Sequence, residues 1–245
     1  SSEKVSEKET EEKTSEKNSE KENTEKENTE KLPVENQKAI PAAVGAEIVG
    51  KDTTDKGAYT VINTDSGLPE VEYSIAKDST EKNIEIPDTV TDANGVTYKV
   101  TKIAENAFGD NKMVTSITIG ENIIEIGANA FKNCTKLKKI IVKSSNIEKI
   151  DSGAFSGDKE LTTVDLSKSK IKSIGKNAFS GCKKLKTIKL NGNKLTNVSK
   201  GAFKNIKRKA TITISAKNKK TYKKIVKLIK NSGAKKVVYK YKKKK

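Results

Sequence analysis

Histidine and tryptophan are absent from this 245-residue chain, and cysteine occurs only twice. Each shortage closes off a class of chemistry. Without histidine there is no Ser-His-Asp or Cys-His nucleophile system and no imidazole to hold zinc. Long apolar runs are missing as well, so nothing reads as a signal peptide or a membrane span. Acids are missing from a whole third of the chain: residues 166–245 hold no Asp or Glu and 28 Lys or Arg, giving +28 there against −10 over residues 1–165. Arg208 is the one arginine; the rest are lysines, point charges that attract polyanions without reading their geometry. A lysine-rich genome would also raise the lysine count, but it would not empty eighty consecutive residues of the acids that are abundant upstream. No pair of acids falls on one facing column. The chain is therefore not expected to be an enzyme, nor to hold a metal or a cofactor.

What the chain does have is a period. Alanine precedes phenylalanine at Phe108, Phe131, Phe155, Phe179 and Phe203, and these are all the phenylalanines in the sequence, spaced by 23 and then three times by 24. Five places before each stands Ile103, Ile126, Ile150, Ile174 or Val198, and eight before stands Val100, Ile123, Ile147, Ile171 or Leu195. Nine and eleven places after come Ile117 and Ile119, Ile140 and Val142, Val164 and Leu166, Ile188 and Leu190, Ile212 and Ile214. A repeat of this length lies in the leucine-rich window of about 20–29 residues. Residues two apart leave a strand on one face, so the last pairs mark a sheet strand. The pairs three apart suit a short extended or turn-like segment. Asn106, Asn129, Gly153, Asn177 and Gly201, two before each Phe, are residue types that tolerate a left-handed backbone and so mark a corner. One such turn cannot bury its own apolar residues, but stacked copies bury one another's.

The segments Ile147-Glu-Lys-Ile150-Asp-Ser-Gly-Ala154-Phe155 and Cys182-Lys-Lys-Leu185-Lys-Thr-Ile188-Lys-Leu190 resemble the repeat of BspA-like bacterial surface proteins. The resemblance runs over about residues 83–215. The family's cysteine is kept only at Cys134 and Cys182, and its proline after the strand only at Pro87; the last repeat carries Lys209-Ala210 in place of leucine. The fold expected is mainly β: a leucine-rich-repeat solenoid of about five turns with parallel strands, a β-rich N-terminal cap and a helix-plus-strand C-terminal cap. The two cysteines, two repeats apart, should be separated by roughly 10 Å of backbone, beyond the ~7 Å a disulfide spans; they are expected to be buried free thiols.

In chain order, residues 1–51 read as a charged stalk and linker; the first 31 are almost all Glu, Lys, Ser, Thr and Asn, with 11 acids and 7 lysines, too polar for a core. A single charged helix is the alternative there. A stalk in this position raises the expectation of a removed export signal, with a lipid anchor on a cysteine before Ser1, which intact-mass analysis of the native protein tests. Residues 52–99 alternate in short runs and form the expected cap, with Asn94-Gly95 as a tight hairpin turn needing positive φ at both positions. Residues 100–215 are the repeats. In residues 216–245, Tyr222, Ile225, Val226 and Ile229 make one face of a helix stopped by Gly233, and Val237, Tyr239 and Tyr241 alternate as a last strand.

Two surfaces are candidates for binding. The residues between the inward strand positions, namely Ser116 and Thr118, Lys139 and Ile141, Thr163 and Asp165, Thr187 and Lys189, Thr211 and Thr213, form the outward ladder; threonine there also simply suits an exposed strand. The lysines opposite the helix's apolar face, Lys219, Lys220, Lys223, Lys224, Lys227 and Lys230, have no acidic neighbours and suit a polyanion. The resemblance implies an exported, adhesin-like protein at the bacterial surface, binding a host extracellular-matrix protein or another macromolecule. The alternative is retention by polyanionic glycan or teichoic acid of the envelope. Nucleic acid is disfavoured, because arginine is nearly absent and the aromatics belong to the core or cap. No pattern specifies an oligomeric state.

Overall fold

The computed structural model describes residues 39–52, 56–65, 67–75 and 79–244. The first 38 residues of the stalk and linker expected over residues 1–51 lie outside the described residues, as do residues 53–55, 66 and 76–78.

Each repeat makes one long and one short strand. The long strands are β4 (Asn83–Ile86), β7 (Ser116–Ile119), β9 (Lys139–Val142), β11 (Thr163–Leu166), β13 (Thr187–Asn191), β15 (Thr211–Ala216) and β16 (Val238–Lys243), and they form one sheet in the order β16-β15-β13-β11-β9-β7-β4, every pair parallel. The positions nine and eleven after each Phe point inward from this sheet: Ile117, Ile119, Val164, Leu166, Ile188, Leu190, Ile212 and Ile214 are all but inaccessible to solvent. The segment five before each Phe makes a second parallel ladder of two-residue strands, β8 (Glu125–Ile126), β10 (Lys149–Ile150), β12 (Ser173–Ile174) and β14 (Asn197–Val198). The three-residue spacing thus serves a strand too short to show period two. The stack reaches about six turns, since β4 and β16 extend the sheet beyond the five Phe repeats.

The Phe rings stack through the middle. Neighbouring centroids lie 4.8, 5.0, 5.1 and 5.4 Å apart from Phe108 to Phe203, with planes within 19° of parallel. Tyr73 continues the column at 6.0 Å from Phe108, and Tyr59 meets Tyr73 edge-on at 5.5 Å. The cap is therefore tied to the repeats by the same spine that joins the repeats to one another.

At the corners, all five residues two before Phe have positive φ, between 54° and 79°. A second left-handed residue stands two after each Phe: Asp110, Asn133, Gly157, Gly181 and Asn205. Between the two, the chain presents a row of N–H groups to the next coil. Asn129, Phe131 and Asn133 donate to the carbonyls of Ser152, Ala154 and Ser156, and the pattern repeats in each coil that has a coil after it. At Gly153 a methyl would meet the Asn129 amide oxygen, so that side chain would have to shift to admit one.

At the N-terminal end, β1 (Glu47–Ile48), β2 (Gly57–Asn63) and β3 (Glu70–Ile75) are joined antiparallel, and β3 runs parallel to β6 (Thr97–Ile103), which begins the short-strand ladder. Antiparallel β5 (Thr89–Thr91) pairs with β6. The hairpin expected at Asn94-Gly95 is present, but only Gly95 has positive φ. The reason is Asp92. Its carboxylate accepts from the N–H groups of Asn94 and Val96, both at 2.9 Å, making a three-residue loop with one left-handed position instead of a two-residue turn with two.

At the other end α1 (Lys219–Asn231) is capped by Asn218, whose side chain accepts from the Thr221 N–H, and Gly233 follows with φ 94°. Ile225 and Ile229 are fully buried against the stack. In isolation a lysine-rich helix of 13 residues would be marginal in water; docking of this apolar stripe is what holds it.

Candidate functional site

The outward ladder forms as two columns in register across the long sheet. One runs Asn83, Ser116, Lys139, Thr163, Thr187, Thr211, Val238. In the other, Glu85 pairs with Thr118 and Thr118 with Ile141, and further on Asp165 pairs with Lys189, Lys189 with Thr213 and Thr213 with Lys240. The structure thus brings all ten ladder candidates onto one face. None is buried. Charge along the second column turns from acidic at Glu85 to basic at Lys240.

The face is not uniform. Most neighbouring long strands share four or more register pairs, but β9 and β11 share only Lys139 with Thr163. Beyond that pair the strands part over a cleft of about 300 Å³ lined by Ile141, Val142, Ser144, Asp165, Ser167 and Lys168 among others. Ile141, 39% exposed, sits at this opening. The Asp165 carboxylate receives the Ser167 hydroxyl at 2.6 Å and the Lys189 ammonium at 2.8 Å. Partial burial pushes its pKa up, but those two donors, the Ser167 N–H and the charge of Lys189 together outweigh burial and hold it below the ordinary carboxylate value.

Charged pairs also step from coil to coil. Lys149 reaches Glu125, Lys172 reaches Glu148, Lys184 reaches Glu160 and Lys189 reaches Asp165, each across one repeat. With no acid after Asp165, the series stops at Lys189. The six helix candidates, Lys219, Lys220, Lys223, Lys224, Lys227 and Lys230, are all exposed on one element, and none enters an ion pair among the described residues.

The two cysteines are not poised as nucleophiles. Cys134 and Cys182 are buried free thiols, each donating to a backbone carbonyl, of Phe108 at 3.1 Å and Phe155 at 3.0 Å. Burial, with Asp158 close by, pushes both thiols far above their usual range, so they stay protonated. Among the described residues no group of three His, Cys, Asp or Glu is placed to hold a metal ion, and no helix is long and apolar enough to cross a membrane.

The family described as BspA type leucine rich repeat region matches residues 101–229 in six copies, more than half of the chain. The chain belongs to this BspA-type leucine-rich repeat family. Among solved structures, it is similar to the pneumococcal vaccine antigen PcpA, at 27% identity over 71% of this chain and 45% of that one, with a TM-score of 0.57. The T. pallidum leucine-rich repeat protein TpLRR shares the fold at 20% identity and a TM-score of 0.52, over 63% of this chain and 68% of that one. The chain thus spans less than half the length of the pneumococcal antigen. Comparison with curated proteins returns no match. Leucine-rich repeat solenoids commonly serve as binding proteins, with extended surfaces built by repetition, which agrees with a molecule whose regular face is solvent-accessible.

Proposed function

We propose that this chain is a non-enzymatic, adhesin-like binding protein displayed outside the bacterial cell, and that it engages a macromolecular ligand, a host extracellular-matrix protein, through the outward face of the long sheet. The observation that carries this reading is the pair of outward columns, one in register from β4 to β16 and one interrupted between β9 and β11, a face of threonine, lysine, Asp165 and the exposed Ile141 that nothing among the described residues covers. Similarity to a pneumococcal antigen supports the location. The test is binding of the full chain to immobilised fibronectin or fibrinogen, with Ile141→Glu and Thr187→Arg placed at the centre of the face. Either change is expected to weaken binding by about tenfold or more, as buried charge does at the core of an interface, and binding by the parent chain is expected to persist at 0.5 M salt. Wild-type affinity in both variants would reject the face.

A second reading is favoured by one specific observation, the six exposed helix lysines with no acid among them. These would hold the protein to teichoic acid or another polyanionic envelope polymer. Salt separates the two: retention by the helix should fall steeply between low and moderate ionic strength, as the Debye length shortens to about 8 Å.

A further inference from the structure

The row of corner N–H groups ends with two of its three last members lacking an acceptor among the described residues. In each inner coil three such groups donate to the coil that follows; Asn177, Phe179 and Gly181 reach the carbonyls of Lys200, Ala202 and Lys204. The last corner is Gly201, Phe203 and Asn205, and no coil follows it. The segment after α1 supplies one substitute, the Ser232 carbonyl, which accepts from Phe203 at 3.4 Å. The N–H groups of Gly201 and Asn205, on either side, have no acceptor among the described residues. Both residues line a cavity of about 610 Å³ between this corner and the chain that leaves the helix.

The charge of that cavity is of one sign. Lys176, Lys200, Lys204, Lys235 and Lys236 line it, no acid does, and the lone guanidinium of the chain, Arg208, is there as well. Among 50 cationic side chains the single arginine stands where two backbone donors are left open. A guanidinium presents a planar fork of donors matched to an oxyanion, which an ammonium cannot do. Backbone N–H groups at left-handed positions make the same kind of anion-holding concavity. None of the six helix lysines lines this cavity, and neither does any residue of the outward ladder.

We infer that the cavity closed by Gly201, Asn205, Arg208 and Lys235 is an anion-binding site for a tetrahedral oxyanion, phosphate or sulfate, carried on a unit of about sugar size. The volume admits more than the bare ion, and its lining comes from separate stretches of chain, Lys176 to Arg208 and Asn231 to Lys236. The site stands apart from the two surfaces proposed above and does not depend on either.

The test is a titration of the ¹⁵N-labelled full chain with inorganic phosphate, then with a hexose 6-phosphate and a 6-sulfated hexose, read at the backbone amides. The expected result is saturable movement of the Gly201 and Asn205 resonances, with both sugar esters binding more tightly than the free ion. Arg208→Lys should weaken binding about tenfold, the effect of one charge-assisted hydrogen bond, although net charge is unchanged. Lys219→Gln with Lys223→Gln and Lys227→Gln should leave it within about twofold, since those side chains lie outside the cavity. The source of the anion shows in pH: affinity for the phosphate ester should rise between pH 5 and pH 7, through a second ionisation near pH 6, whereas that for the sulfate ester should stay flat. Resonances of Gly201 and Asn205 that do not move, or an Arg208→Lys variant that binds like wild type while the helix variant does not, would overturn the assignment.

Discussion

Asp158 stands where the neighbouring repeats place cysteine, three residues after Phe155, with Cys134 one coil before it and Cys182 one coil after. Its side chain is wholly buried. One carboxylate oxygen accepts from the Cys134 N–H at 2.9 Å, and the other has no hydrogen-bond partner. Burial pushes its pKa well above the ordinary value, against the smaller opposing pull of that N–H and of Lys112. The consequence for stability has a definite sign. Because the folded pKa is raised, the unfolded chain gives up this proton near pH 3.9 while the folded chain keeps it, so stability is lost as pH rises from there through the folded value. Over that window the slope is about 1.4 kcal/mol per pH unit. Asp158→Asn removes the titrating group, and its urea midpoint is therefore expected to gain on wild type as pH rises from about 4 toward the raised folded value. A gap that stays constant with pH would show that Asp158 titrates normally. Asp158→Cys should gain at neutral pH as well, since a thiol donates to the carbonyl below it as the two existing cysteines do.

At the scale of elements, one coil is held by its neighbours through the ring column, the strand ladders and the corner N–H groups. Phe155 has a ring about 5 Å away on both sides, Phe131 and Phe179. Phe155→Ala is expected to cost about 3–5 kcal/mol, transfer and cavity together, read as a lowered urea midpoint, and Phe155→Leu should recover most of it. A loss below about 1 kcal/mol would mean that the column is not what joins the coils. Much of this was legible in the spacing of Ala-Phe, because each period places one ring, one corner and one strand. The corner residues Asn106, Asn129, Gly153, Asn177 and Gly201 were readable from type alone, and their partners two after Phe could have been read the same way. What the spacing does not carry is pairing between distant stretches. Tyr59 and Tyr73 join the spine from strands with no repeat pattern, and Ile84 and Ile86 lie in the long sheet although their neighbours in sequence belong to the other one. The basic cavity was hidden for the same reason. Its lysines come from the corners at residues 176, 200 and 204 and from residues 235 and 236, which read separately as solvated charge.

At the scale of the whole molecule the decisive feature is where compensation stops. Up to Asp165 the coils alternate acids and lysines so that a cation in one coil finds a carboxylate in the coil before. Each such pair is exposed and contributes only about 0.2–1 kcal/mol, but the series also keeps like charges from stacking. In the acid-free part the same period sets Lys176 one step from Lys200 and Lys183 one step from Lys207, with no acid after Asp165 to separate them. Adjacent coils are bound by short-range packing, whereas this repulsion acts over the Debye length, about 30 Å at 0.01 M salt and 3 Å at 1 M. Raising salt should therefore slow amide hydrogen exchange over residues 190–244 more than over residues 97–165, where screening removes attractions along with repulsions. The comparison is internal to one sample, so general salting-out effects, which protect both regions, cancel. Equal protection at both ends, or greater gain in the acid-bearing coils, would mean that the lysines are far enough apart to ignore one another. If the predicted asymmetry appears, the C-terminal end carries an electrostatic strain that any bound polyanion would relieve, and a phosphorylated or sulfated ligand at low salt should protect the same amides that high salt protects in its absence.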